Sequence, residues 1–199
     1  MSDSFISGLR AVVRQTQHLQ SESNSIIELT EDSPLSSLKV IYIDGRGCND
    51  VFAFTLDVKN GGSHEPLSYH TSKAGSSKWN KVCDGVFVWR NPDDGILRIL
   101  LCDLKSSAPS GSEWKHQLQS SSCFVKYLLE IVRQFCGGCG HEGTPLFHAF
   151  AFHGAPAGRN KRGTAVKGGN GYPTSSLSDP QRVPVTNRAS LMLRALCQC

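Results

Sequence analysis

The strongest constraint on this chain is the stretch from residue 83 to residue 107, CDGVFVWRNPDDGILRILLCDLKSS. Two runs of β-branched and large apolar residues flank NPDDG, whose Pro and closing Asp-Gly favour a reversal, so the stretch predicts a β-hairpin. The second run, Ile96 to Leu104, does not alternate polar and apolar positions. A strand apolar on both sides is one buried on both faces, as at the centre of a sheet. Yet this strand ends in Asp103 and Lys105. Side chains alternate across a strand, so the two charges share one face and Leu104 lies on the other. Such a pair beside a core carries a desolvation cost unless it is paired or bound to something.

The rest of the chain supplies partners for that hairpin. Residues 5 to 20, FISGLRAVVRQTQHLQ, put Leu9, Val12, Val13 and Leu19 near one stripe and predict an amphipathic helix. Ser4 stands at its cap and Gly8 weakens its first turn. SESNSIIELTEDSP reads as the helix end or a loop before Pro34. LKVIYIDGRGCNDVFAFTLDVKNGG reads as two strands around a turn at DGRGCND, and residues 60 to 80 as a long Gly/Ser loop. Beyond the hairpin, Trp114, Leu118, Val125, Leu128, Val132 and Phe135 recur at helical spacing over residues 113 to 135, with Ser112 as N-cap. CGGCGHEGTP ends that helix. LFHAFAFHG is a further strand, with His148 a packed core histidine and His153 at the strand end. The segment 155–184 turns Gly/Pro-rich and basic, and NRASLMLRAL, 187 to 196, reads as a final short helix. There is no internal repeat. The order predicts an α/β fold, a central mixed β-sheet flanked by helices, over residues 1–154, followed by a basic Gly/Pro-rich tail over 155–199.

At 199 residues the chain is long enough for one domain with a substantial core. Its 39% hydrophobic and 19% charged content is that of a soluble globular protein. No run approaches the roughly 18 apolar residues of a membrane helix, and MSDSFISGLR is no secretory leader. The expectation is a cytoplasmic protein whose eight cysteines are reduced thiols. The net charge of +4 is uneven: residues 155–199 carry seven Lys/Arg against one acid, Asp179, while residues 1–154 carry 14 basic and 16 acidic groups. Arg159, Lys161, Arg162 and Lys167 in that tail are candidate phosphate contacts; the alternative is a solvated tail.

The charges at the strand end acquire a chemistry through Asp84, which the hairpin brings toward Asp103. Adjacent carboxylates repel, and a hard divalent cation with oxygen ligands relieves the repulsion. A neighbouring lysine then orients a water or stabilises developing phosphate charge. Asp84, the hairpin and the trio Asp103-Leu104-Lys105 resemble the signature of the PD-(D/E)xK nuclease superfamily, the restriction-endonuclease-like fold. The resemblance covers roughly residues 5 to 153, and the helix after the trio offers Gln117, Gln119 and Tyr127 where the family often places a Gln and a Tyr. It departs from the family in having Cys83 where a proline is common and Asp103 where Glu is commoner.

The resemblance implies a Mg²⁺- or Mn²⁺-dependent nuclease acting on DNA. Asp84, Asp103 and the backbone carbonyl of Leu104 would hold the metal, Lys105 would assist the water, and Gln117 or Gln119 would support the site. Some members add a Glu from the first helix, a role for which Glu22 and Glu28 both stay open. Family habit further implies a partner subunit, an ATPase, helicase or sensor, or a homodimer, in a prokaryotic antiviral defence or restriction system. A second reading is a non-catalytic subunit of the same fold that binds nucleic acid or protein.

Other constellations compete. TLDVKNGG contains another acid-x-lysine, Asp57 and Lys59, with Asp44 upstream, but a Gly/Ser loop rather than a Gln-bearing helix follows it. Cys136 and Cys139 form half of a zinc-site spacing, and Cys197 and Cys199 supply a second pair, so a structural Zn²⁺ joining tail to body is a further expectation. No P-loop, no G-x-G-x-x-G in a strand-to-helix setting and no G-x-S-x-G is present.

Overall fold

The computed structural model describes residues 4–19, 21–23, 25–31, 34, 36–56, 59–60, 63–64, 81–136, 143–154 and 175–197. In chain order they form α1 (Ser4–Val12), a 3-10 turn (Gln15–Gln17), β1 (Ser21–Ser23), β2 (Ile26–Thr30), β3 (Val40–Asp44), β4 (Asn49–Phe54), β5 (Lys59–Asn60), β6 (Ser63–His64), β7 (Gly85–Arg90), β8 (Leu97–Lys105), α2 (Glu113–Phe135), β9 (Leu146–Gly154), β10 (Gln181–Val185), β11 (Ala189–Met192) and α3 (Leu193–Leu196).

Among the described residues, one sheet has the order β10-β9-β8-β7-β4 and a second has the order β1-β2-β3-β11; β5 and β6 pair as a short ribbon. The hairpin read from the sequence is the centre of the first sheet. β7 and β8 pair antiparallel from Gly85↔Cys102 to Arg90↔Leu97. The turn is held by the Asn91 N–H to the Ile96 carbonyl (3.0 Å) and the Gly95 N–H to the Asn91 carbonyl (2.9 Å). β8 and β9 run parallel, which requires a crossover, and α2 is that crossover. Every residue of β8 from Leu97 to Leu104 is buried, as the unalternating run demands.

Two apolar layers sandwich this sheet. On one face Leu97, Ile99 and Leu101 of β8 and Val86 and Val88 of β7 pack with Phe5, Ile6 and Leu9 of α1 and with Trp114, Leu118, Val125 and Val132 of α2. On the other face Leu100, Cys102 and Leu104 pack with Phe87, Trp89, Phe150 and Phe152, and with Ile27, Leu29, Ile41, Ile43 and Leu191 of the second sheet. The architecture is α/β with a central mixed sheet, and it differs from the expectation in its second cover. Helices α1 and α2 occupy one face, whereas a second sheet with α3 occupies the other. The residues 21 to 30, expected as loop, make β1 and β2 because Ile27 and Leu29 alternate inward.

Three further elements depart from the sequence reading. Helix α1 stops at Val12, and a 3-10 turn replaces its last stretch. Gly8 sits where an added Cβ would lie 2.7 Å from Val132 Cγ1, so the glycine that weakens the helix lets α1 approach α2. Strands β3 and β4 are not a hairpin: β3 pairs with β2 and β11, and β4 with β7. Residues 175–197 are not a tail. β10 extends the first sheet beside β9, and β11, in place of much of the expected final helix, extends the second beside β3. Asn187 Oδ1 accepts the N–H groups of Lys39 and Val40, both at 2.9 Å. Val183, Val185, Leu191, Leu193 and Leu196 are buried between the layers, and that apolar content draws the segment into the body.

Gly154 ends β9 against the segment that follows β8. An added Cβ would lie 2.7 Å from Ser37 Oγ and 2.9 Å from the Ser106 carbonyl oxygen, which itself accepts the Ser37 hydroxyl at 2.6 Å. Gly154→Ala therefore forces backbone apart directly after Lys105. The expected loss is about 1–3 kcal/mol of unfolding free energy, read from the urea midpoint.

Candidate functional site

The helix-covered face of β8 reads Leu97, Ile99, Leu101, Asp103, Lys105: three core residues and then two charges. Asp84 precedes β7, and the antiparallel register places it across from Asp103 on that face. The charges therefore meet at one end of the central hairpin, under the first turns of α2. Asp103 is fully buried. Lys105 Nζ lies 2.8 Å from its Oδ2, yet neither Asp103 oxygen completes a well-aligned hydrogen bond among the described residues. The pair is a charge contact that leaves carboxylate acceptor capacity open.

Asp84 Oδ2 accepts the Leu104 N–H at 2.5 Å. That carboxylate takes the place of the next ladder bond beyond Gly85↔Cys102. Because the N–H and C=O of one strand residue face the same edge, the Leu104 carbonyl lies on the Asp84 side as well. Lys105 Nζ also donates to Gln117 Oε1 at 3.0 Å, and Gln117 Nε2 donates to the Val82 carbonyl at 2.5 Å. One turn further along α2, Ser121 Oγ accepts the Cys83 N–H at 2.8 Å and donates to the Gln117 carbonyl at 2.9 Å. Gln117 and Ser121 thus tie α2 to the segment leading into Asp84 and hold the lysine over Asp103.

The electrostatics follow from this burial. Desolvation raises the Asp84 carboxyl well above its usual range, and the negative charge of Asp103 raises it further. Desolvation raises Asp103 to about 6, with Lys105 pulling the other way. Glu31 adds a raising contribution at both acids. Burial pushes the Cys83 thiol up to about 12 and the Cys102 thiol well above its ordinary value, so neither is a ready thiolate. His153 shares the face, in register beside Lys105, and is buried; its Nδ1 lies 3.2 Å from the Gly154 carbonyl.

The other sequence candidates are dispersed. Gln119 is exposed on α2, and Tyr127 is 60% exposed with its ring against Phe124, so neither joins Gln117 at the site. Ser112 stands at the N-cap of α2 without a side-chain capping bond. Glu22 and Glu28 lie on β1 and β2 rather than on the first helix, and Glu28 alternates with the inward Ile27 and Leu29. The acid missed from sequence is Glu31. It continues the Ile27-Leu29 face one step past the strand end, a pattern visible only once IIELT is read as a strand. The rival acid Asp44 is buried and gripped by Arg46 Nε at 3.0 and 2.9 Å, which holds its carboxyl below the usual range. Asp57 lies outside the described residues, as do Arg159, Lys161, Arg162 and Lys167.

The expected zinc set is not brought together where it is described. Cys136 packs against the helix-side core, whereas Cys197 is buried in the core on the opposite side of the first sheet. Cys139 and Cys199 lie outside the described residues. His148 faces the second-sheet core; burial lowers it to about 4, with the Arg98 charge contributing in the same direction.

The donor set at Asp84 and Asp103 fits a hard divalent cation. Two raised, facing carboxyls ionise readily only with positive charge between them, and among the described residues neither Asp103 oxygen makes an aligned hydrogen bond beyond its charge contact with Lys105. Among the described residues no three His, Cys, Asp or Glu side chains cluster as a metal cage. The protein ligands would be few, which suits an ion that keeps several waters. No protein-family model, curated protein or solved structure matches this chain.

Proposed function

We propose that the chain is a metal-dependent nuclease of restriction-endonuclease-like fold that hydrolyses phosphodiester bonds, with DNA as substrate. The observation that carries this reading is the buried Asp103, its oxygens unpartnered by hydrogen bonds, set against Asp84 and a lysine anchored by Gln117. The order α1, antiparallel β4-β7-β8, crossover α2, parallel β9 supports the fold half of the reading. Asp84, Asp103 and the Leu104 carbonyl would hold Mg²⁺ or Mn²⁺, which when bound supplies Lewis-acid stabilisation and a more acidic water.

The chain's own residues do the positioning. Lys105, held from two sides by Asp103 and Gln117, keeps one further N–H donor, which would orient a phosphate oxygen or an attacking water. Gln117 keeps that ammonium over Asp103. The wider setting, a partner subunit or homodimer in a prokaryotic antiviral defence system, rests on the habit of the resembled family.

The test is incubation of the purified chain, alone and with the product of a neighbouring gene, with plasmid, single-stranded DNA and RNA, in Mg²⁺, Mn²⁺ or EDTA. We expect metal-dependent cleavage, and a loss of roughly 10²–10³-fold in Lys105→Ala. Cleavage indifferent to Lys105→Ala and Asp103→Ala would overturn the assignment. Folded protein that binds nucleic acid and never cuts it would make the chain a non-catalytic binding subunit.

A further inference from the structure

A cleft of about 270 Å³ lies between the first turn of α2 and the start of β10, its lining including Gly111, Trp114, Lys115, Asp179, Gln181 and Arg182. The strand register fixes where it sits relative to the acidic pair. Arg182 pairs with Ala151, and Ala151 with Asp103. Val183 and Val185 are buried toward the second sheet, so Arg182 emerges on the helix-covered face, the face of Asp84 and Asp103. Two interstrand spacings separate its backbone from that of Asp103, about 10 Å. Helix α2 joins the two places: Lys115 lines the cleft and Gln117, two residues on, holds Lys105.

The charges in the cleft are selective. Arg182 Nη1 donates to the Pro109 carbonyl at 3.0 Å, which fixes the guanidinium beside the β8–α2 connection. Its other four N–H donors have no protein partner among the described residues. Lys115 Nζ lies 5.6 Å from the Trp114 ring centroid, and Trp114 is itself anchored by its Nε1–H to the Gly111 carbonyl at 3.1 Å. The single acid, Asp179, is engaged: its Oδ2 accepts Gln181 Nε2 at 2.9 Å. A preformed guanidinium fork and an ammonium on a rigid indole, with the acid tied back, make a seat for a tetrahedral oxyanion.

We infer that this cleft binds a backbone phosphate of the nucleic acid, a few nucleotides along the strand from the one at Asp84 and Asp103. The inference rests on the nuclease reading for its substrate and adds a second, sequence-independent contact. Arg182 and Lys115 are positioning residues: they fix the register of the strand and touch no reacting atom.

The experiment uses the full chain with Asp103→Asn as a cleavage-silent background and measures fluorescence anisotropy of a labelled oligonucleotide across a salt series. Arg182→Ala is expected to weaken binding about tenfold or more and to flatten the salt dependence by about one counterion, uniformly across sequences. Arg182→Lys is expected to restore the salt slope but not the full affinity. Lys115→Ala should flatten the slope in the same way. Unchanged affinity and slope in both alanine variants, at unchanged melting temperature, overturn the cleft and leave the nuclease reading standing. A flattened slope in this background, together with a wild-type chain that never cleaves, supports the cleft and removes the nuclease reading instead.

Discussion

Asp103→Asn is expected to abolish the proposed cleavage and, in the same protein, to raise the stability of the metal-free fold at pH 7 to 8. The fully buried carboxyl is lifted from 3.8 to about 6 by desolvation. The folded chain thus holds that proton more tightly than the unfolded chain does. The stabilising contribution is complete below pH 3.8 and is lost as the pH climbs through 6. Asp84, raised in the same direction, reinforces the trend. An asparagine carries no charge to desolvate, so the expected gain near neutral pH is roughly 1–3 kcal/mol, or several degrees in Tm. Melting curves of the EDTA-treated proteins at pH 5.5 and 7.5 check this. From pH 7.5 to pH 5.5 the wild type should gain stability relative to the Asn variant, which lacks the Asp103 contribution while sharing every other titrating group. His148 works in the opposite sense: its contribution is complete above pH 6.5 and is lost from there down to about 4, so inside this window it offsets the carboxyl gain, equally in wild type and variant. Added Mn²⁺ should stabilise the wild type and not the variant, because ligand binding to the native state adds to its stability. A variant less stable than wild type at pH 7.5 in EDTA would contradict the assignment of a carboxylate whose desolvation Lys105 offsets only in part.

A chain ended after residue 174 is expected not to fold. It loses β10, β11 and α3, and with them five buried apolar side chains: Val183, Val185, Leu191, Leu193 and Leu196. At roughly 1.5–3 kcal/mol each, that loss matches the entire net stability of a typical domain, about 5–15 kcal/mol. Polar ties go too: Asn187 no longer holds the start of β3, and Arg98 Nη1 loses the Cys197 carbonyl at 3.3 Å. Removal of β10 also leaves β9, with Phe150 and Phe152, as an open edge, which favours aggregation. Expression trials, gel filtration and near-UV circular dichroism read the outcome. A soluble truncated chain with a cooperative melting transition would show that residues 175–197 are dispensable.

The central hairpin was open to reading from local order because everything that specifies it is local. NPDDG sets the turn, the unbroken run of β8 sets its burial, and period-two alternation puts Asp103 and Lys105 on one face. Helix α2 was equally open, since Trp114, Leu118, Val125, Leu128 and Val132 carry the helical period through 23 residues. The choice between Gln117 and Gln119 was not. The two differ by about 200° around the helix axis, and only the packing of α2 on the sheet decides which one meets Lys105.

Strand partners were beyond the sequence for the same reason. IDGRGCNDVF has the composition of a hairpin, yet β3 and β4 enter different sheets, because Asp44 is spent on Arg46 and the chain pairs β3 with β2 and the distant β11. The alternation of β10 and β11 is short and interrupted by Pro184 and Arg188, too weak to outvote a Gly/Pro-rich, basic composition; long-range burial supplies what the local signal lacks. Local residue order is enough to specify that a buried strand ends in an acid and a lysine beside a second acid. Tertiary structure alone decided that Gln117 holds the lysine, that Glu31 adds its charge, and that Arg182 shares their face. Period and turn chemistry act within a few residues, whereas sheet register and layer packing join residues as far apart in the chain as Lys39 and Asn187, 148 positions.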